Sequence, residues 1–87
     1  MANKRRRLSE AQLRALAALA VDGAQTVPNV SAHWFVKQGP YILAMVRWDT
    51  LQALAKAGHI APTGQPGAYR ITAAGRAARA EAESAAE

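Results

Sequence analysis

The stretch from Thr50 to Arg76, TLQALAKAGHIAPTGQPGAYRITAAGR, leaves little freedom in how it folds. Leu51, Leu54 and Ala55 recur at helical spacing with Trp48 one turn earlier, so a helix runs from Arg47 or Trp48 to Ala57. Gly58 follows the last periodic residue, where a helix ending in the left-handed region favours a residue without Cβ. Ile60-Ala61 and Tyr69-Arg70-Ile71 read as short strands. Between them, Pro62 to Gly67 is dense in turn formers, as a hairpin loop needs. Thr72 is placed to cap a last helix that runs from Ala73 into the Ala/Glu tail. Few small folds use the order helix, glycine stop, strand, tight loop, strand, helix.

Eighty-seven residues suffice for one domain with a modest core. No run of 18 apolar residues exists, which excludes a membrane-spanning helix. Glu10, Gln12 and Arg14 interrupt the segment after the basic start, so a secretory leader is not expected and a cytoplasmic location is. With no cysteine, neither a disulfide nor a thiolate metal site can form.

Upstream, Ser9 is placed as an N-cap with Gln12 at N3, a capping box, and Leu8 and Leu13 fall where a hydrophobic staple would. Leu13, Leu16, Ala17 and Ala20 follow at helical spacing with Leu19 beside them, and Gly23 is a candidate for the C′ position. Residues 24–47 are ambiguous. Thr26-Val27-Pro28 suits a short strand or an extended loop. Ser31 could cap a helix reaching Gln38, and Pro40 could open a longer helix through Val46. The same letters, HWFVKQGPYILAMV, also read as two strands about Gln38-Gly39-Pro40. Periodicity does not settle 31–38; for 41–46 the helical reading is narrowly preferred.

Two segments carry a family likeness: Thr50 to Ile60, which looks like the end of a recognition helix, and Tyr69 to Arg76, which looks like the strand-to-helix junction after a wing. With the first helix they cover about two-thirds of the chain. On these the sequence resembles the winged helix-turn-helix superfamily, in particular small bacterial or phage regulators of the MarR and PadR sort. The resemblance implies an α+β fold with three to four helices and a two- or three-stranded antiparallel β-wing. A basic arm, 1–7, would precede the domain, 8–80, and an acidic Ala/Glu tail with a frayed helix end, 81–87, would follow.

It further implies that the helix at 47–57 lies in the major groove of double-stranded DNA, offering Arg47, Gln52 and Lys56. Glutamine can pair with adenine, arginine with guanine, and lysine can neutralise a phosphate. Asp49 sits awkwardly on that face; Asp49-x-x-Gln52 also fits a capping box, which would start the helix at Thr50. Arg70 on the return strand could reach the backbone. The arm Lys4-Arg5-Arg6-Arg7 would neutralise phosphates without sequence preference. Residues 1–79 hold all eleven basic groups against three acids, and such a body suits a polyanion. The plain alternative for each of these groups is a solvated, solubilising side chain.

A transcriptional regulator or architectural factor is therefore the leading expectation. The alternative is a protein-binding winged helix, such as a phage accessory or inhibitor, to which Trp48, Asp49 and a wing tip without Lys or Arg would point. A homodimer through the last helix or residues 31–46 is also open. His33 and His59 lack neighbours at metal-ligand spacing, and no nucleophile–base set or phosphate loop is legible, so neither an enzyme nor a cofactor is expected. Gly75, in the first turn of the last helix, suggests close approach to another backbone.

Overall fold

The computed structural model describes residues 8–85. The chain runs α1 (Glu10–Leu19), β1 (Gln25–Val27), β2 (His33–Gln38), β3 (Tyr41–Arg47), α2 (Trp48–Lys56), β4 (Ile60–Pro62), β5 (Tyr69–Ile71) and α3 (Ala73–Ala85). The expected α+β class with three helices and antiparallel sheets is present. The basic arm, residues 1–7, lies outside the described residues.

α1 begins as its sequence predicts. The Gln12 amide donates to Ser9 Oγ at 3.1 Å, and the Ser9 amide donates to Gln12 Oε1 at 2.8 Å, closing the capping box. Its inward face is Ala15, Leu16 and Leu19, rotated from the expected stripe; Ala17 is exposed and Ala20 is the C-cap. Gly23 is accordingly not the C′ residue. With φ 79° it occupies the third position of a turn in which the Ala24 amide donates to the Val21 carbonyl at 3.0 Å, a position that needs a positive φ.

The helical reading of 31–38 and 40–46 is overturned: both segments are strands. β1, β2 and β3 form an antiparallel sheet in that order. Two local features decide it. Gly39 takes φ 57° in a two-residue loop with Pro40, an arrangement whose twist matches that of the flanking strands. Ser31, the expected helix cap, instead organises the entry to β2: its Oγ accepts from the His33 amide and donates to the His33 carbonyl, both at 3.2 Å. The β2–β3 register pairs Val36 with Ala44 but Lys37 with Ile42, so Leu43 is an extra, bulged residue. No helix precedes α2 within this segment; β3 ends at Arg47 and α2 starts at Trp48, whose amide donates to the Ala32 carbonyl at 2.7 Å.

α2 stops in a complete Schellman motif. The His59 amide donates to the Leu54 carbonyl at 2.9 Å and the Gly58 amide to Ala55 at 3.0 Å, with Gly58 at φ 83°. The chain then enters the β4–β5 hairpin, with Ile60 opposite Ile71 and Pro62 opposite Tyr69. The two sheets share no ladder among the described residues. Thr26 of β1 joins them: it is fully buried, donates through Oγ1 to the Gly67 carbonyl at 2.7 Å and accepts from the Tyr69 amide at 2.9 Å. Gly67 lies so close to the Pro28 ring that a Cβ there would overlap it.

Thr72 caps α3, accepting from the Gly75 amide at 3.0 Å and donating to the Gly58 carbonyl at 2.7 Å. The close approach expected at Gly75 is real: a Cβ there would collide with the His59 carbonyl and lie 2.9 Å from Ile71 Cγ1. Arg76 reaches across to the Ala20 carbonyl at the end of α1, at 3.3 Å, a favourable place for a cation. The core is small: Ala15, Leu16, Leu19, Ala24, Val36, Val46, Leu51, Leu54 and Ile60, with Trp34, Trp48, Tyr69 and Ile71 packed at its margin.

Thr26→Val keeps the volume but leaves the Gly67 carbonyl and Tyr69 amide unpaired. It should cost on the order of 2–4 kcal/mol in urea unfolding, while Thr26→Ser costs clearly less. Gly75→Ala should destabilise by about 1–3 kcal/mol through overpacking, against the roughly 1 kcal/mol gain that alanine gives in an open helix. Equal or higher thermal stability of Gly75→Ala would show that the α3 contact relaxes freely.

Candidate nucleic-acid interface

α2 buries Leu51 and Leu54 and turns Gln52 and Lys56 outward. Four residues apart, these two side chains are neighbours on one face. They border an open cleft of about 320 Å³ between α2 and β5, whose remaining lining is Trp48, Leu51, Ala55 and Tyr69. Polar and cationic groups thus stand along one rim, and two aromatic rings form part of the wall. Lys56 is exposed, in the last turn of α2, and has no ion pair among the described residues.

Trp48 is not a free surface aromatic. It is half-buried and stacks on Trp34 of β2, with ring centroids 4.6 Å apart and planes inclined by 26°. The stack braces the first turn of α2 against the sheet and adds to what area burial alone gives.

Arg47 and Asp49 are tied to each other. Arg47 Nε donates to Asp49 Oδ1 at 3.2 Å and Nη2 to Oδ2 at 3.1 Å, the two-pronged geometry that suits guanidinium and carboxylate. α2 therefore begins at Trp48 with Arg47 as N-cap, and Asp49 lies in the first turn instead of capping a helix that starts at Thr50. The hydrogen bond from Arg47 holds the Asp49 carboxyl below the usual carboxylate range, and Asp49 in turn raises the Arg47 guanidinium. A lowered carboxyl value means the fork persists through neutral pH and opens only on acidification through that value. Both groups are exposed, so the fork matters more for the charge presented to a partner than for stability.

Of the expected contact residues, Gln52 and Lys56 are brought together. Arg47 is held back by Asp49. Arg70 is exposed on β5 and donates from Nε to Gln25 Oε1 of β1 at 3.3 Å; Tyr69, its neighbour, is the β5 residue that lines the cleft. Lys4, Arg5, Arg6 and Arg7 lie outside the described residues. Tyr69 as a cleft wall could have been anticipated from strand alternation, which sends it to the face opposite Arg70. The Trp34–Trp48 stack could not, because it depends on 33–38 being a strand.

Among the described residues no three His, Asp or Glu groups gather as a metal site, and no helix is long and apolar enough to cross a membrane. The chain matches no family model, no curated protein and no solved structure.

Asp49→Asn removes the carboxylate that occupies Arg47. Affinity for random-sequence duplex DNA should rise, and the slope of log affinity against log salt should steepen by about one unit, roughly 0.9 per added phosphate contact. An unchanged slope in fluorescence-anisotropy titrations would place Arg47 out of reach of the backbone.

Proposed function

We propose that the chain is a non-enzymatic DNA-binding protein of winged-helix type, acting as a transcriptional regulator or an architectural factor. The observation that carries this reading is the exposed α2 face, where Gln52 and Lys56 stand side by side over the cleft that faces β5. α2 enters the major groove, Gln52 reads a base edge, and Lys56 meets a phosphate. The β4–β5 hairpin is the wing, with Arg70 near the backbone once Gln25 releases it. The arm Lys4–Arg7 supplies the affinity that does not depend on sequence.

The order α2, hairpin, α3 supports the reading, as does the charge balance. The segment ahead of α2 departs from a helix-turn-helix, since a hairpin stands where the first helix of the pair would be. Recognition then rests on one helix and the wing. A second reading, a protein-interaction module that leaves DNA alone, is favoured by a separate observation: Tyr41, Ile42 and Met45 of β3 are large, apolar and exposed.

Titration with random-sequence duplex DNA at two salt concentrations tests the proposal. Binding at low salt should weaken steeply as salt rises. Replacing Lys4, Arg5, Arg6 and Arg7 together with alanine should flatten the log–log slope by up to about four units. Gln52→Ala should leave the slope unchanged and cost roughly 1–3 kcal/mol of discrimination at one base pair of a selected site. Absence of binding at low salt would overturn the DNA reading and leave the protein-interaction one.

A further inference from the structure

β3 is the edge of the three-stranded sheet, so one side of Tyr41–Arg47 presents unpaired backbone groups. Edges of this kind are ordinarily protected by charge, proline, brevity or a bulge. The bulge at Leu43 lies toward the hairpin end of β3 and leaves 44–47 regular. β3 has seven residues and is the longest strand described. Its single charge, Arg47, is occupied by Asp49. Tyr41 is 68% exposed, Ile42 57%, Met45 59% and Leu43 37%.

The face of the sheet turned away from the helices is also partly apolar. Val36 and Val46 point into the core, so their neighbours Phe35 and Met45 point outward. The register sets Val27 opposite Phe35 and Phe35 opposite Met45. Three apolar side chains thus form one row across the strands, which ends at the edge on the most exposed of them.

We propose that a second copy of the chain pairs with β3 edge to edge, antiparallel, about a two-fold axis at Met45. This inference does not rest on DNA binding; it assigns the protein-contact surface of β3 to self-association. In that register Met45 faces its own counterpart, Ala44 faces Val46, and Leu43 faces Arg47. Each pair lies on one face of the sheet, and no two like charges stand opposite each other. The row becomes six residues long, Val27, Phe35 and Met45 followed by the same three in reverse.

Centring the pairing on Ala44 instead would oppose Val46, which points inward, with Ile42, which the bulge has turned outward. A two-fold contact needs one self-complementary patch, which this strand supplies. In this register Leu43, Met45 and the free backbone edge are covered, while Tyr41 and Ile42 lie beyond the paired residues, opposite the start of α2. Each copy therefore buries less than the roughly 800 Å² of a standard interface. The dimer is accordingly dependent on concentration.

Sedimentation velocity from about 5 μM to about 500 μM reads the association directly. The mass should rise from that of the 9.2 kDa chain toward twice that value. Met45→Glu and Met45→Lys place like charges face to face across the axis, and each should remain monomeric over the same range. Met45 is exposed, so both variants should keep the wild-type circular dichroism. An equimolar mixture of the two should recover a dimer, because opposite charges then meet at the axis. A wild type that stays monomeric throughout, or a dimer that Met45→Glu leaves intact, would overturn the proposal. A mixture that associates no more than its components would overturn the register about Met45.

Discussion

One buried hydroxyl ties the β4–β5 hairpin to the three-stranded sheet, with the exposed Arg70–Gln25 bond beside it. Thr26 Oγ1 meets both the Gly67 carbonyl and the Tyr69 amide, and no backbone ladder among the described residues joins the two sheets. Because Thr26 is fully buried, water cannot substitute for it, and the bonded pair is worth more than its counterpart at the surface. The same contact sets where Tyr69 stands relative to α2, and so the width of the cleft bordered by Gln52 and Lys56. With a core of four leucines, one isoleucine, two valines and two alanines, little apolar burial is available to compensate for its loss.

What was legible in the sequence was local. The Gly58 stop, the Thr72 cap, the Ser9–Gln12 box and the hairpin loop each follow from residues within a few positions of one another. Residues 31–46 were not legible, because Ser31, Pro40 and the apolar run satisfy helix and strand rules about equally. The Gly39-Pro40 loop and the Ser31 bonds favour the hairpin locally, and pairing with β1 adds a contact that a local pattern does not contain. The face of α1 was misjudged for a related reason: an alanine-rich helix has no sharp apolar stripe, and the packing of its neighbours selects Ala15 over Ala17.

The same division holds at the candidate site. Gln52 and Lys56 follow from their spacing against Leu51 and Leu54. The Arg47–Asp49 fork has no sequence signal of its own: two residues of separation at the start of α2 bring a guanidinium onto a carboxylate only once the strand-to-helix junction is in place. The exposed row on β3 was hidden by the helical reading, in which Ile42 and Met45 would have divided between faces differently.

Charge is distributed unevenly along the chain. Residues 8–85 hold seven Lys and Arg against five Asp and Glu, and Arg14, Arg47 and Arg79 are engaged by Glu10, Asp49 and Glu83. Four more cations lie at Lys4–Arg7. Any polyanion that the chain binds would therefore draw its long-range attraction mainly from those four residues and its short-range contacts from the folded body.

No residue separates β3 from α2, and the first amide of the helix is bonded back to Ala32 beside the start of β2. A junction of this kind has no hinge. The tilt of α2 is inherited from the twist of the sheet, so a torque applied along the outer strand is delivered to the helix as rotation, with no slack to absorb it. Mechanically, the sheet is the handle and the helix is the blade.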